Sequence, residues 1–254
     1  MKKGYILSID QKCRGSEALI FDMEGYVRGR AYVETARFRG EPGSMYQDAE
    51  AICLSAMRAI ADALKAGNIS PGAVKVIGIT NEGDGMLLWG RSSGRPLGLP
   101  FLRQGDKRIR CCNELQSRRV LRMMRETTGL AVDPCCFAGF NISWLLDSVP
   151  GLRERAERKE IACGTLDSWL VYRLTGGRRH ITDRSNALRT QLYNPFIEAW
   201  NLQLLELLDI PSILLPCVHP LSEGYGVTDP RFFFGVRGIP VAGIAAHQKE
   251  ALFG

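Results

Sequence analysis

Three short β-rich runs open the chain, "YILSID", "EALIFD" and "GYVRGRAYVET", separated by turn-prone residues. "DMEG" at Asp22 to Gly25 has the composition of a tight turn. The pattern predicts an antiparallel meander. A Gly/Pro-bearing loop, Gly40 to Ser44, follows, and then Cys53, Met57, Ile60, Ala61 and Leu64 recur at helical spacing on one face. Asp48, or Ser44 with Gln47 three residues on, supplies the N-cap of this helix and Gly67 its stop. Val74 to Thr80, "VKVIGIT", is a continuous apolar run bounded by turn residues, as expected of a strand buried on both faces at the centre of a sheet.

Further on, "MLLWGRSSGRPL" reads as a hairpin around Ser92 to Gly94, and an Arg-rich helix is expected to run to Gly129. In "TLDSWLVYRLTGG", Leu166, Trp169, Leu170, Arg173 and Leu174 share helical spacing, with Thr165 as cap and Gly176 as stop. These Trp and Leu positions are expected in the core. Ile239 to Ala245 reads as a short buried strand, and Ala246 to Phe253 as the start of a helix of which only about two turns are written. The order of elements implies an α/β fold with helices on both sheet faces, the first strand ending on Asp10 and a long mixed insertion at about 81–238. In such sheets ligands gather at strand ends.

Composition narrows the class. The 254 residues are 45% hydrophobic and 24% charged, enough to build one large or two modest cores. No apolar run approaches the ~18 residues of a membrane span. The apolar stretch in "MKKGYILSID" is shorter than the ~7–15-residue core of a signal peptide, so a cytoplasmic protein without membrane contact is expected. The eight cysteines include the adjacent pairs Cys111-Cys112 and Cys135-Cys136 and no paired CxxC, which favours free, packed thiols over zinc or a disulfide scaffold. The net charge of +6 raises the question of nucleic acid. The basic stretch from Arg103 to Arg125 is interrupted by Asp106 and Glu114 and holds no aromatic residue for base stacking, so a solvated helix face is the preferred reading.

Several strings taken together resemble the glycerol kinase group of the FGGY carbohydrate kinases. They are "YILSIDQ", "GEPGSMYQDAEAI", "VIGITN", "TTGLAVDP", "GTLDSWLVYRLTGG", "HITDRSNALRTQLYN", "LLELLDIPSILLP" and "GIPVAGIAAHQKEALFG". The likeness runs over the whole chain but covers only the family's N-terminal half. It implies an actin-like, RNase H-like mixed sheet, with an antiparallel meander and parallel strands flanked by helices, making one sugar- or polyol-binding domain over 1–254. The C-terminal domain that holds most of the nucleotide is expected to lie beyond Gly254. ATP and magnesium are the cofactors the resemblance implies, and phosphoryl transfer to a hydroxyl is the chemistry.

The resemblance also places site residues. Asp10 is in register with the family's metal-organising aspartate; an Asp closing a strand on turn amides is the alternative. After Asp-Gln the family has a Gly-Thr-Thr-Ser-Ser-Arg phosphate loop. Here Gln11 is followed by Lys12, Cys13, Arg14, Gly15, Ser16 and Glu17, so Lys12 and Arg14 either touch phosphate or are exposed turn charges, while Glu17 brings negative charge near it. In the polyol pocket Gly83 replaces an arginine, Asp84 a glutamate, Arg103 an aromatic wall and Cys135 a tyrosine. His247 stands where the family carries its catalytic aspartate. It is either a working base, since neutral imidazole accepts a proton, or a histidine satisfied by neighbouring backbone. With these changes the chain alone is expected to be inactive as a kinase. The alternative is a non-catalytic module that uses the old cleft, or the face meant for the second domain, for a protein partner, a small ligand or a second copy of itself.

Overall fold

The computed structural model describes residues 4–12, 14–39, 45–81, 86–97, 101–103, 114–128 and 137–246, with the backbone alone for 37–39, 45–47, 101–103, 114–117 and 128. Along the chain, β1 (Tyr5–Lys12), β2 (Gly15–Asp22), β3 (Val27–Glu34), β4 (Arg37–Arg39) and β5 (Met45–Gln47) precede α1 (Ala49–Ala66) and β6 (Val74–Asn81). Next come β7 (Met86–Gly90), β8 (Phe101–Arg103), α2 (Glu114–Thr128), α3 (Ala138–Ser148), α4 (Leu152–Glu157), β9 (Ile161–Thr165) and α5 (Leu166–Leu174). The last part holds β10 (Ile181–Asp183), α6 (Arg184–Arg189), the hairpin β11 (Tyr193–Asn194) and β12 (Ala199–Trp200), and α7 (Leu202–Leu207). It closes with β13 (Cys217–His219), β14 (Gly226–Val227) and β15 (Pro240–Ala246).

The main sheet has the order β14-β15-β6-β1-β2-β3. β1, β2 and β3 form the expected antiparallel meander, while β6 runs parallel to both β1 and β15. β6 therefore sits inside the sheet, as its apolar run predicts, but it is not buried on both faces: Lys75 is exposed and Val76 and Gly78, on alternate positions, are half-buried. Leu7, Ile9, Ala18 and Ile20 point to one face, where Ala56, Ala59, Ile60 and Ala63 of α1 and Leu170 and Leu174 of α5 cover them. The "DMEG" turn is present: Gly25 N–H donates to Asp22 O, and the Asp22 carboxylate takes the amides of Glu24 and Tyr26.

The first strand does not end on Asp10. It continues to Lys12, because Gln11 pairs with Ser16 and Lys12 with Gly15. α1 starts as predicted with Asp48, whose side chain accepts from Glu50 N, and its buried stripe is Ile52, Cys53, Ala56, Ala59, Ile60, Ala63 and Leu64. Met57 and Ala61 lie at the margin of that stripe. Gly67 closes the helix for a different reason than a left-handed cap, since its φ is −84°. A Cβ there would lie 2.7 Å from Arg28 O, so glycine lets β3 approach; Asn68 takes the left-handed conformation at φ 51°.

A second sheet, β4-β5-β8-β7-β9, packs Met86, Leu88, Ile161 and Cys163 against Phe137, Phe140, Leu145, Leu204 and Leu205 from α3, α7 and the adjoining backbone. The turn after β7 is made as read, with Gly90 N–H bonded to Arg95 O and Leu97 N–H to Leu88 O. Arg103 belongs to strand β8 rather than to the Arg-rich helix. Within α2, Val120 and Met124 are buried while Arg118, Arg119, Arg122 and Arg125 are exposed. Trp89 and Trp169 are fully buried where the two sheets meet, and the Trp169 indole donates to Gly94 O at 3.1 Å. Cys53 and Cys163 are buried free thiols, while Cys217 is free but exposed. Among the described residues no helix is long and apolar enough to cross a membrane. Gly40 to Ser44 and the segment expected to begin a helix after Ala246 lie outside the described residues.

Candidate functional site

Parallel pairing brings three chain exits to one sheet edge. Gln11 of β1 is level with Asn81 of β6, and Asn81 is level with Ala246 of β15. The expected site positions Gly83, Asp84 and His247 follow two of these exits in sequence; they lie outside the described residues, as do Cys13 and Cys135. Arg103 is described in its backbone only, paired with Met45. Asp10, Gln11, Lys12, Arg14, Gly15 and Glu17 are all described, and the strand alternation separates them onto two faces.

On the face toward α1, Gln11 is 1% exposed. Its Oε1 accepts from Ser16 Oγ at 2.6 Å and its Nε2 donates to Lys12 O at 3.0 Å. Ser16 in turn lies 2.7 Å from Ser55 Oγ, to which Thr35 Oγ1 donates at 2.9 Å. This buried chain of hydroxyls ties the hairpin to α1 and is turned away from Asp10. Gly15 has a packing role too: a Cβ there would lie 2.3 Å from Val33 O.

On the other face, Asp10 and Glu17 stand directly opposite each other in the β1/β2 ladder. Lys12 Nζ lies 3.3 Å from Asp10 Oδ2 and is hydrogen-bonded to Glu17 Oε2, while Arg30 Nε donates to Glu17 Oε1 at 2.6 Å. Burial pushes Glu17 upward, but the bonds from Lys12 and Arg30 outweigh it and hold the carboxyl below its ordinary value. The bond to Glu17, with the Asp10 charge, holds Lys12 above its ordinary value against partial burial. Arg14 is exposed at the turn.

Magnesium requires open carboxylate oxygens. Here Asp10 and Glu17 both face the Lys12 ammonium, and no group of three or more His, Cys, Asp or Glu gathers among the described residues. These residues do not fit a divalent ion. Among the described residues there is no phosphate cradle either: Lys12 pairs with Gly15 in the ladder and its ammonium is committed to carboxylates.

The edge is buttressed by residues to which sequence reading gave no role. Asp183, fully buried, caps α6 by accepting from the amides of Ser185 at 2.6 Å and Asn186 at 3.2 Å and from their side chains at 2.6 Å each. The Ser185 hydroxyl also accepts from Ala246 N at 2.8 Å. Next to it, Asp167 is fully buried and takes a hydrogen bond from Thr182 Oγ1 at 2.7 Å. Burial, then the neighbouring Asp183 charge, pushes Asp167 up to about 7 despite bonds from Thr165 and Thr182. Thr165 occupies the N-cap position of α5 without a capping bond, its hydroxyl lying 3.3 Å from that of Thr182. Asn81 is 0% exposed, and neither its amide nitrogen nor its oxygen has a protein partner among the described residues. The signal for these residues was in the text of the chain: Thr182-Asp183 and Ser185-Asn186 spell a helix N-terminus, and an Asp inside "TLDSWL" is a polar residue in an apolar frame.

An apolar cavity of about 280 Å³ lies between α1 and α5, lined by Ile9, Cys53, Met57, Ile60, Leu170 and Phe232 among others. Ile9 faces opposite to Asp10, so this cavity is separate from the Asp10 edge.

The pattern described as the FGGY family of carbohydrate kinases, N-terminal domain, matches residues 5–254. A glycerol kinase of Oceanobacillus iheyensis is 41% identical over 254 residues, all of this chain and 50% of that protein. One from Listeria monocytogenes is 44% identical over all of this chain and 51% of its own length. The chain thus spans about half the length of the curated relatives it matches. Among solved structures, Plasmodium falciparum glycerol kinase with ADP superposes with a TM-score of 0.86 at 23% identity, over 98% of this chain and 49% of that one. Xylulose kinase from Rhodospirillum rubrum gives 0.82 at 20% identity, over 98% and 50%. The mixed sheet, its flanking helices and this match over nearly every residue establish that the chain belongs to the FGGY family of carbohydrate kinases and corresponds to the N-terminal half of a glycerol kinase-like member.

Proposed function

We propose that this chain is the acceptor-binding half of an ATP:polyol phosphotransferase of the glycerol kinase type, and that residues 1–254 alone transfer little or no phosphate. The observation that supports the reading is the convergence of the β1, β6 and β15 ends at the edge carrying Asp10 and the buried, unpartnered Asn81. Such an edge orients a hydroxyl-bearing ligand, and phosphoryl transfer depends mainly on positioning and on a group that accepts the hydroxyl proton. At the position of that group this sequence has His247, which is either a base, in its neutral form, or a histidine satisfied by neighbouring backbone. Membership of the family puts the acceptor among polyols or sugars, and the changes at Gly83, Asp84, Arg103 and Cys135 leave it unnamed.

The test is a coupled assay of nucleotide diphosphate release by residues 1–254 with glycerol and with pentoses and pentitols. Background turnover is expected; robust acceptor-dependent turnover overturns the inactivity. Binding is read separately, by calorimetry with the same acceptors, and absence of binding to all of them counts against the acceptor-binding role.

A second reading, a non-catalytic module of the same fold, is favoured by the engagement of Asp10 and Glu17 with Lys12. Acceptor-dependent turnover by the chain, once joined to the C-terminal half of a relative, removes that reading.

A further inference from the structure

Asp10 and Glu17 are cross-strand partners on one sheet face. Two carboxylates opposed in this way repel each other, so the pairing needs positive charge close by. The sequence provides it on the same face, two residues after Asp10, as Lys12. Its ammonium spans both carboxylates, 3.3 Å from Asp10 Oδ2 and hydrogen-bonded to Glu17 Oε2. Arg30 completes the cluster from β3, 2.6 Å from Glu17 Oε1. Two negative groups face two positive ones. Glu17 is nearly enclosed, with 6% of its side chain exposed, so its charge is screened by these partners more than by water.

A magnesium or manganese ion that used Asp10 would sit at about 2.0–2.2 Å from a carboxylate oxygen. At Asp10 Oδ2 that position brings a double positive charge against the ammonium already there. Binding would require Lys12 to swing away and leave Glu17 short of one of its two cations.

We propose that Lys12 is the resident cation of this crevice: its ammonium holds the place at Asp10 that a divalent metal would need, and the folded chain therefore binds no such metal there. Cation binding at Asp10 is independent of whether the chain transfers phosphate.

The experiment is titration of the 254-residue chain with Mn²⁺, followed by electron paramagnetic resonance and by calorimetry. The unmodified chain and Asp10→Asn are expected to give the same titration. Lys12→Met, which keeps the aliphatic stem, and Lys12→Gln, which keeps a polar head, are expected to gain a site at least about tenfold tighter than any in the unmodified chain. That gain should vanish when Asp10→Asn is added. The proposal is overturned if the unmodified chain holds Mn²⁺ in a site that Asp10→Asn removes, or if neither Lys12 variant binds more Mn²⁺ than the unmodified chain. Circular dichroism of each variant, measured in parallel, confirms that the variant compared has kept the sheet.

Discussion

The backbone amide of Ala246 donates to the Ser185 hydroxyl at 2.8 Å, and the same hydroxyl donates to Asp183 at 2.6 Å. One serine thus fastens the last described residue of β15 to the N-terminus of α6, and does so in the position directly before His247. Ser185→Ala keeps the packing volume but leaves a buried amide without its acceptor. A loss of about 1–3 kcal/mol is expected, read by denaturant unfolding, together with faster hydrogen exchange at the Ala246 amide. Ser185→Thr, which keeps the hydroxyl, should restore protection at that amide. Equal exchange in all three proteins would show that the bond does not fix the strand end.

Asp167 predicts a stability that depends on pH. The folded chain keeps its carboxyl protonated up to about 7, whereas the unfolded chain releases the proton near 4. Stability from this group is therefore complete below about pH 4 and is lost as pH rises from there to about 7. Asp167→Asn keeps an acceptor for Thr182 and cannot ionise. Its stability relative to the unmodified chain should improve by about 2–4 kcal/mol between pH 4 and pH 8, measured as the difference in unfolding free energy. The comparison must be relative, because His180 works in the opposite direction: burial lowers it to about 4, so its contribution is lost as pH falls below about 6.5.

Glu17 should make the chain acid-sensitive in a way that Asp167 does not. Its folded carboxyl lies below the ordinary value, so the stability it contributes is present above about pH 4.5 and is lost as pH falls through the folded value. Glu17→Gln should flatten the acid limb of the unfolding curve below pH 4.5 while lowering stability at pH 7. An acid limb unchanged by the substitution would mean that the Lys12–Glu17–Arg30 cluster adds nothing to the folded state.

Gly15 and Arg14 are neighbours with opposite tolerance. A Cβ at Gly15 meets the Val33 carbonyl at 2.3 Å, a backbone atom that cannot rotate aside, so Gly15→Ala should cost about 2–4 kcal/mol. Arg14 is exposed at the turn, and Arg14→Ala should stay within about 0.5 kcal/mol. Thermal unfolding of the two variants distinguishes this packing role of Gly15 from a role in gripping phosphate, which would leave stability unchanged.

The elements themselves were legible in the chain because their physical causes are local. Alternating runs make β1 to β3, a 3.6-residue stripe makes α1, Asp48 caps it, and the largely apolar run at Val74 to Thr80 makes a strand inside the sheet, though one with Lys75 exposed and Val76 and Gly78 only half-buried. The family was legible for a related reason: strings such as "TDRSNALRT" write out side chains that must meet specific backbone groups. What local pattern does not contain is which face of β1 meets which neighbour. Lys12 reads in sequence as a turn charge beside phosphate, and only the register Asp10↔Glu17 shows that it answers two carboxylates. Gln11 reads as part of the same loop, yet the pleat turns it the other way, into a hydroxyl chain under α1. The tie from Ser185 to Ala246 joins residues 61 positions apart in the chain. Electrostatic and hydrogen-bonding partners act over a few ångströms in space and are indifferent to separation in sequence, so the strand order and register had to be known before the charge on Lys12 acquired a meaning.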